Sequence, residues 1–226
     1  MKPLILLHGA LNTLAQMQPL QQKLDADFDA QVLSFSGHSA ERCDGIFSID
    51  VFVDDIIRYM DAHEIDASDF FGYSMGGYAA TKLAMHHPDR VGKIMTLGTK
   101  WDWNPESAAK EVAMLDPKVI MEKVPQYASK LQSMFGEQNW ISVVIKTATM
   151  MLELGNGDSL SQSNFEKIRT FILICRGSED KMVSADASIE VADWLVHGSY
   201  KELSGMPHPL EKVDLGVLVK EFYEFF

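Results

Sequence analysis

The sequence predicts an α/β protein with a mostly parallel sheet of about six strands and helices on both faces. Three observations support this class. Short apolar runs alternate along the chain with segments of helical periodicity. Most of these runs are continuously apolar, which is typical of strands buried on both faces. The length of 226 residues suits one domain with a sizeable core, or one domain with a modest insertion.

Six apolar runs are the candidate strands. They are Leu4 to Leu7, Gln31 to Phe35, Asp69 to Tyr73, Val91 to Leu97, Phe171 to Cys175 and the short extended run Tyr200 to Leu203. Crossovers between parallel strands are right-handed, which leaves few topologies. Ligands of open α/β sheets bind at the carboxyl ends of the strands, so the residues that follow each run are the first candidates for a site.

Helical spacing of apolar residues fills the intervals between these runs. The predicted helices are Asn12 to Leu24, Ile49 to Met60, Met75 to His87, Ser184 to Leu195 and Leu215 to Phe226. The third of these helices stops before Pro88, because proline cannot continue a helix. Strands that alternate with helices in this way form βαβ units.

One region interrupts the alternation, from Trp101 to about Phe165. Helical spacing dominates there, and Pro105, Pro117 and Pro125 divide it into segments. We therefore predict an α/β core made of residues 1–100 and 166–226, and a helical cap insertion over residues 101–165. The insertion holds three of the four tryptophans and several methionines, most of which we interpret as the core of the cap itself.

Composition excludes several classes of partner. The chain has 20 Lys and Arg against 32 Asp and Glu, a net charge of −12, so nucleic acid is a poor partner. It contains no apolar stretch of membrane-spanning length, and the N-terminal apolar run is too short for a signal peptide. The two cysteines, Cys43 and Cys175, cannot form a disulfide framework, so we expect reduced thiols in a cytoplasmic protein.

The strongest chemical motif is Gly72-Tyr73-Ser74-Met75-Gly76. It follows a predicted strand and opens a predicted helix, which is the context that gives G-x-S-x-G its meaning. A serine hydroxyl is a weak nucleophile at neutral pH, so it needs a base that is oriented by an acid. The alternative interpretation is a glycine-rich turn with an idle serine.

His208 is the best candidate for the base, because it follows the last strand in a loop held by two flanking prolines. The alternative is an exposed loop histidine. His8 ends the first strand, and His38 follows the second strand, where a loop-structuring role is favoured. The other histidines lie in helices or near their ends: His63, His86, His87 and His197.

Three carboxylates are candidates for the acid. Glu179 and Asp180 follow the strand that ends at Cys175, and Asp102 follows the strand that ends at Leu97. The alternative for the first two is a solvated acidic turn, since Gly-Ser-Glu-Asp is good turn chemistry. No cluster of side chains has the spacing of metal ligands, so neither a metal nor a cofactor is expected.

Together these residues resemble the α/β-hydrolase fold family, especially its capped, single-domain members, and the resemblance extends from Leu4 to Phe226. Four landmarks carry it in the family's order: His8-Gly9 as the HG turn, Gly72 to Gly76 as the nucleophile turn, Gly177 to Val183 as the acid loop, and the late His208. Two departures stand out. The sequence begins almost at the HG turn, so the family's first two strands are not expected, and His208 lies between two prolines where the family commonly has a preceding glycine.

The resemblance implies a catalytic set of Ser74 as nucleophile, His208 as general base and then acid, and Asp180 as the orienting acid, with Asp102 or Glu179 as replacements. It implies an oxyanion hole of the backbone N–H groups of Ala10 and Met75. The implied reaction is acyl transfer from a small-molecule carboxylic ester to water.

Substrate binding is assigned to Trp101 and Trp103, which lie nearest a strand end, and to Tyr73 beside the nucleophile. The family runs other reactions with similar triads, so a lyase, a carbon–carbon bond hydrolase or a cofactor-free perhydrolase is the alternative. A non-catalytic ligand receptor is a third possibility. The sequence does not indicate an oligomeric state.

Overall fold

The computed structural model describes residues 3–24, 26–40 and 44–226. Within these ranges it contains one sheet of six strands, and all neighbouring strands are parallel. The strands are β1 (Pro3–Leu7), β2 (Asp29–Leu33), β3 (Ser68–Tyr73), β4 (Val91–Leu97), β5 (Phe171–Gly177) and β6 (Gly198–Leu203), in the order β2-β1-β3-β4-β5-β6. The predicted sheet is confirmed.

Helices cover both faces of the sheet, because alternate residues of each strand point to opposite sides. On one face, Leu4 and Leu6 of β1 belong to an apolar cluster with α1 (Gln18–Leu24) and α10 (Leu215–Phe225). On the other face, Ile5 and Leu7 belong to a cluster with α2 (Ile49–Ala62), α3 (Met75–His86) and α9 (Ala185–Trp194). The inner strand β1 is apolar on both sides for this reason, as its continuous run in the sequence indicates.

Residues 98 to 170, all of which the structure describes, form helices and no strand. The helices are α4 (Pro105–Val112), α5 (Pro117–Lys123), α6 (Pro125–Phe135), α7 (Trp140–Glu153) and α8 (Gln162–Phe165). The three prolines that divide the sequence here are the first residues of three helices, where the missing N–H costs nothing. Trp140 and Val144 of α7 share an apolar cluster with Ile5 of the sheet, so the separation into core and cap remains a prediction.

The strands end side by side. Leu7 pairs with Gly72, Tyr73 pairs with Leu97, and Leu97 pairs with Cys175. The loops that follow β1, β3, β4 and β5 therefore open at one edge of the sheet, where the sequence predicts the site.

The thiol of Cys175 is free and buried on β5, and burial raises its pKa, with the charge of Glu221 adding to the effect. Cys43, which is part of the prediction of reduced thiols, lies outside the described residues. In the part of the chain that the structure describes, no helix is both long enough and apolar enough to cross a membrane.

Candidate active site

Ser74 occupies a strained turn between β3 and α3. Its φ of 52° and ψ of −115° lie in a region that residues with a side chain rarely adopt. Two neighbours hold the turn: the Ser74 amide donates to the carbonyl oxygen of Leu97 at 2.9 Å, and the Thr99 hydroxyl donates to the carbonyl oxygen of Ser74 at 3.0 Å. The strain places the serine side chain at the carboxyl edge of the sheet.

The glycines of the motif are required by close packing between strand and helix. A Cβ atom on Gly72 would lie 2.3 Å from the Cα atom of Gly77, and a Cβ atom on Gly76 would lie 2.5 Å from the carbonyl oxygen of Leu7. Both neighbours are backbone atoms, which cannot move aside cheaply. The motif therefore has glycine at these two positions because α3 lies too close to β3 and β1 for a side chain.

The structure brings together Asp180, in the loop after β5, and His208, in the loop after β6. The Nδ1 atom of His208 lies 2.7 Å from Oδ2 of Asp180, and the Asp180 side chain is only 1% exposed. The other oxygen of Asp180 accepts hydrogen bonds from the backbone N–H groups of Met182 and Val183, at 2.8 and 3.1 Å. Since a carboxylate accepts, Nδ1 of His208 is the nitrogen that carries the proton.

Two opposing effects act on the pKa of the Asp180 carboxyl. Burial raises it, but the hydrogen bond and charge of His208, together with the two backbone donors, outweigh burial and hold the pKa below its ordinary value. The carboxyl is therefore ionised at neutral pH. Gly98, with φ of 65°, passes close to this pair: a Cβ atom there would lie 3.3 Å from both Asp180 Oδ2 and His208 Nδ1.

The other two candidate acids lie elsewhere. Asp102 is paired with Lys100, whose Nζ is 3.0 Å from its Oδ1. Glu179 is exposed on the surface of the acid loop. Among the described residues, neither carboxylate is bonded to His208.

His8 and His38 are buried close together, with ring centroids 5.2 Å apart. The Nε2 atom of His8 accepts the backbone N–H of Phe35 at 3.3 Å, so its Nδ1 carries the proton and donates to the carbonyl oxygen of Gly9 at 2.8 Å. The Gly9 amide in turn donates to the side chain of Gln16 at 3.0 Å. These bonds fix the HG turn, and with it the backbone of the next residue, Ala10.

This histidine pair predicts a loss of stability in mild acid. Burial lowers the pKa of His8 from 6.5 to about 3, with the charge of His38 adding to the effect, and burial lowers that of His38 to about 4. Below pH 6.5 both histidines become protonated in the unfolded chain but stay neutral in the folded chain. We expect the free energy of unfolding to fall by on the order of 2–4 kcal/mol between pH 7 and pH 5.

Urea denaturation at pH 7, 6 and 5 measures this loss. The carboxyl of Asp180, whose pKa is lowered, adds its own loss only at still lower pH, so the window belongs to the histidines. A matched variant is His63→Gln, at an exposed site, which should keep the full pH slope, whereas His38→Gln should lose part of it. A free energy of unfolding that is constant from pH 7 to pH 5 would contradict the prediction.

Ser74 borders two cavities. The larger has a volume of about 1230 Å³ and is lined by Ser74, Ala10, Tyr73, Asp180 and His208, together with residues of α4 and α6. The smaller has a volume of about 40 Å³ and is lined by Ser74, Ala10 and Met75, together with residues of α7. Met75 is the first residue of α3, so its amide is one of those without a partner inside the helix.

The three residues assigned to substrate binding have different surroundings. Trp103 lines the smaller cavity, and its indole N–H donates to the carbonyl oxygen of Lys100 at 3.1 Å. Trp101 lines neither cavity at Ser74. Its ring packs against those of Tyr78 and Phe165, with ring centroids 5.6 and 5.8 Å apart. The structure therefore does not bring Trp101 to the nucleophile, because its indole is only 5% exposed within the core.

Tyr73 lines the larger cavity and also makes a hydrogen bond that the sequence does not predict. Its hydroxyl donates to the backbone carbonyl of His208 at 2.7 Å, across 135 positions of the chain. Burial raises the pKa of the phenol, and the charges of Glu211 and Asp180 add to this, so the hydroxyl stays a donor at neutral pH. The sequence also does not single out three polar residues that contact the site's turns and carboxylates, because a lone polar residue after a strand carries no sequence signal. They are Thr99, Lys100 and Arg176.

Arg176, at the end of β5, ties down the acid loop. Its guanidinium donates to the carbonyl oxygens of Val183 and Asp180, at 2.8 and 2.6 Å. Both bonds close the loop that carries Asp180. Within the described ranges, no group of three or more His, Cys, Asp and Glu side chains is placed to hold a metal ion.

A wholly parallel sheet with a strained serine turn, next to a bonded aspartate and histidine, defines a class of α/β enzymes that use a serine nucleophile. Residues 2–136 match the family model described as the alpha/beta hydrolase fold. Because this match covers more than half of the chain, the protein belongs to the α/β-hydrolase fold family. The resemblance seen in the sequence is thereby confirmed.

Comparison with known proteins gives hydrolase relatives. The chain is 23% identical over 188 residues to the 2-hydroxymuconate semialdehyde hydrolase of Pseudomonas sp. (strain CF600), which covers 70% of this chain and 62% of that protein. It is 27% identical over 95 residues to the esterase YbfF of Escherichia coli (strain K12), covering 42% of this chain and 37% of that protein. Both alignments thus span less than two thirds of the relative.

Among solved structures, an esterase from Thermogutta terrifontis superposes with a TM-score of 0.81 at 15% identity, over 99% of this chain and 89% of that one. At this identity the likeness supports the fold alone.

Proposed function

We propose that this protein is a serine hydrolase that acts on a small-molecule carboxylic ester through an acyl-serine intermediate. The observation that carries the proposal is the 2.7 Å hydrogen bond between His208 and Asp180 at a cavity that Ser74 also lines. The similarity to an esterase supports the same reaction.

In the first half of the reaction, Ser74 Oγ attacks the ester carbonyl and His208 takes its proton. Because Nδ1 of His208 donates to Asp180, its Nε2 is unprotonated and can accept that proton. The imidazolium that forms is stabilised by the buried carboxylate. The backbone N–H groups of Met182 and Val183 donate to Asp180, which helps to keep this carboxylate ionised and fixes its orientation.

The negative charge that develops on the carbonyl oxygen needs donors that are already in place. Ala10 and Met75 line the smaller cavity together with Ser74, and their backbone N–H groups are our candidates. Each such donor is worth about 3 kcal/mol of transition-state stabilisation in comparable sites.

His208 then protonates the leaving alcohol and afterwards activates the water that hydrolyses the acyl-serine. The same nitrogen accepts and returns the proton in both halves. Ser74 and His208 are the only residues that have to transfer a proton in this scheme, whereas Asp180 accepts hydrogen bonds and the two backbone N–H groups donate them.

A fluorophosphonate probe tests the proposal, because it reacts with an activated serine. We expect labelling of the wild-type protein, no labelling of Ser74→Ala, and undiminished labelling of Ser107→Ala, which changes a serine of the same cavity. Hydrolysis of simple esters should likewise be lost in Ser74→Ala. Labelling that persists in Ser74→Ala would show that another residue is the nucleophile.

A carbon–carbon bond hydrolase is the second candidate. The alignment that covers most of this chain among the relatives described is with a hydrolase of a semialdehyde, not of an ester. Labelling of Ser74 without hydrolysis of any ester, thioester or lactone would favour this reaction over the first.

Tyr73 is proposed as a positioning residue for His208, since its hydroxyl holds the His208 carbonyl. Tyr73→Phe removes that donor and leaves the ring in place, so we expect kcat to fall about three- to tenfold with little change in KM. Steady-state kinetics on one ester measures both constants. A raised KM with unchanged kcat would instead indicate that the hydroxyl contacts the substrate.

A further inference from the structure

The smaller cavity beside Ser74 is narrow and mainly apolar. Most of the residues that line it are apolar or aromatic, among them Ile49, Met75, Trp103, Met150 and Leu154. Its volume of about 40 Å³ corresponds to roughly three water-sized volumes, which is room for a chain of a few heavy atoms.

The position of His208 determines which part of an ester can enter this cavity. His208 must give its proton to the leaving alcohol, so the alcohol has to lie on the side of the imidazole. His208 lines the larger cavity and does not line the smaller one. The alcohol therefore belongs in the larger cavity, and the acyl chain is left with the smaller one.

The lining of the larger cavity also suits the alcohol part of the substrate. Its volume is about 1230 Å³, and charged side chains of both signs line it, among them Lys110, Lys130, Lys181, Glu106 and Glu111. Apolar side chains line it as well, among them Met114 and Leu115. A cavity of this size and mixed lining favours a large alcohol group over a small one.

We propose that the substrate is a short-acyl ester of a bulky alcohol, with an acyl group of at most about four carbons in the smaller cavity. This inference rests on the proposed serine hydrolase function and adds that the acyl group is the small part of the ester and the alcohol the large part. The limit on acyl length comes from the far wall of the cavity.

Met150 is one of the residues of that wall. It is 3% exposed, and together with Ile49 and Leu154 it separates the smaller cavity from a further cavity of about 10 Å³. That further cavity is closed by polar groups, including Lys82 and Asp50, which form an ion pair at 2.7 Å. Truncation of Met150 would join the two cavities and lengthen the space available to an acyl chain.

A pair of isomeric esters tests the proposal directly. Hexyl acetate and ethyl hexanoate have the same atoms and comparable alkyl leaving groups, but the long chain is on the alcohol in the first and on the acyl group in the second. In a pH-stat assay we expect kcat/KM to be at least about tenfold higher for hexyl acetate, since each methylene that a packed pocket rejects is costly.

Variants locate the cause. Met150→Ala should raise kcat/KM for ethyl hexanoate, so that the ratio of kcat/KM for hexyl acetate to that for ethyl hexanoate falls at least about threefold. Leu154→Ala, at another residue that lines both the smaller cavity and the further one, serves if Met150→Ala folds poorly. Met134→Ala, a half-buried methionine of α6 that lines neither cavity, is the matched control and should keep the wild-type ratio.

The outcomes separate the two levels of the argument. Equal rates on the two isomers, or a faster rate on ethyl hexanoate, with both rates lost in Ser74→Ala, would overturn the short-acyl inference and leave the serine hydrolase standing. Fluorophosphonate labelling or ester hydrolysis that survives in Ser74→Ala would overturn both.

Discussion

Asp180→Asn is expected to lower kcat by about four orders of magnitude while changing KM little, as is typical when the orienting acid of a serine triad becomes an amide. The physical reason is specific to this loop. The Oδ1 atom of Asp180 accepts two backbone N–H groups, from Met182 and Val183. An asparagine must turn its carbonyl oxygen to those donors, which leaves its NH2 group facing His208.

That orientation reverses the imidazole. Facing an N–H donor, Nδ1 of His208 becomes the acceptor, and Nε2 then carries the proton and cannot take one from Ser74. Stopped-flow or steady-state kinetics on one ester measures the loss, and circular dichroism checks that the variant is folded. The matched control is Asp102→Asn, at the carboxylate paired with Lys100 in the same cavity, which should retain activity within about tenfold. A greater loss in Asp102→Asn than in Asp180→Asn would reverse the assignment of the acid.

Gly72→Ala is expected to destabilise the fold by about 4 kcal/mol or more, or to prevent folding altogether. The added Cβ atom would lie 2.3 Å from Gly77 Cα and 2.4 Å from its N atom. These are backbone atoms of α3, so relief requires the whole helix to move away from β3. Chemical denaturation of the variant, or its yield in soluble form, measures the effect.

Gly216→Ala provides the control for an added methyl group. Gly216 lies in α10, where the nearest atom to an added Cβ is a side-chain oxygen of Asp214 at 3.2 Å, and alanine favours helix over glycine. We expect its free energy of unfolding to stay within about 1 kcal/mol of the wild type. Equal stabilities of the two variants would contradict the close packing described for the nucleophile turn.

Much of the fold could be predicted because its signals are local. Strands such as Val91 to Leu97 are mainly apolar, and both β4 and the predicted run have the same bounds. The helix after Ser74 was predicted from spacing and from Pro88, and α3 ends at His86. The first predicted helix was less accurate: Asn12 to Leu24 contains a short 3₁₀ segment at Leu14–Gln16 before α1 begins at Gln18.

The site was only partly predictable, because its contacts join distant segments. Asp102, Glu179 and Asp180 have equivalent local settings after strands, and a difference of one position decides between the last two. Only the loop geometry, with Arg176 and two backbone donors around it, directs Asp180 toward His208. Trp101 follows a strand in the same way as Trp103, yet the register of the chain after β4 buries the first in the core and brings the second to a cavity.

The amino-acid sequence by itself determined the class of fold, the serine turn and the order of the chemical groups, because periodicity and glycine requirements act between residues close along the chain. The tertiary structure decided which carboxylate meets the imidazole, that the Tyr73 hydroxyl reaches the His208 carbonyl, and that Ser74 borders both a narrow apolar cavity and a wide one with charged side chains in its lining. These depend on distances between segments that lie tens of residues apart, and such distances are fixed only when the whole core packs.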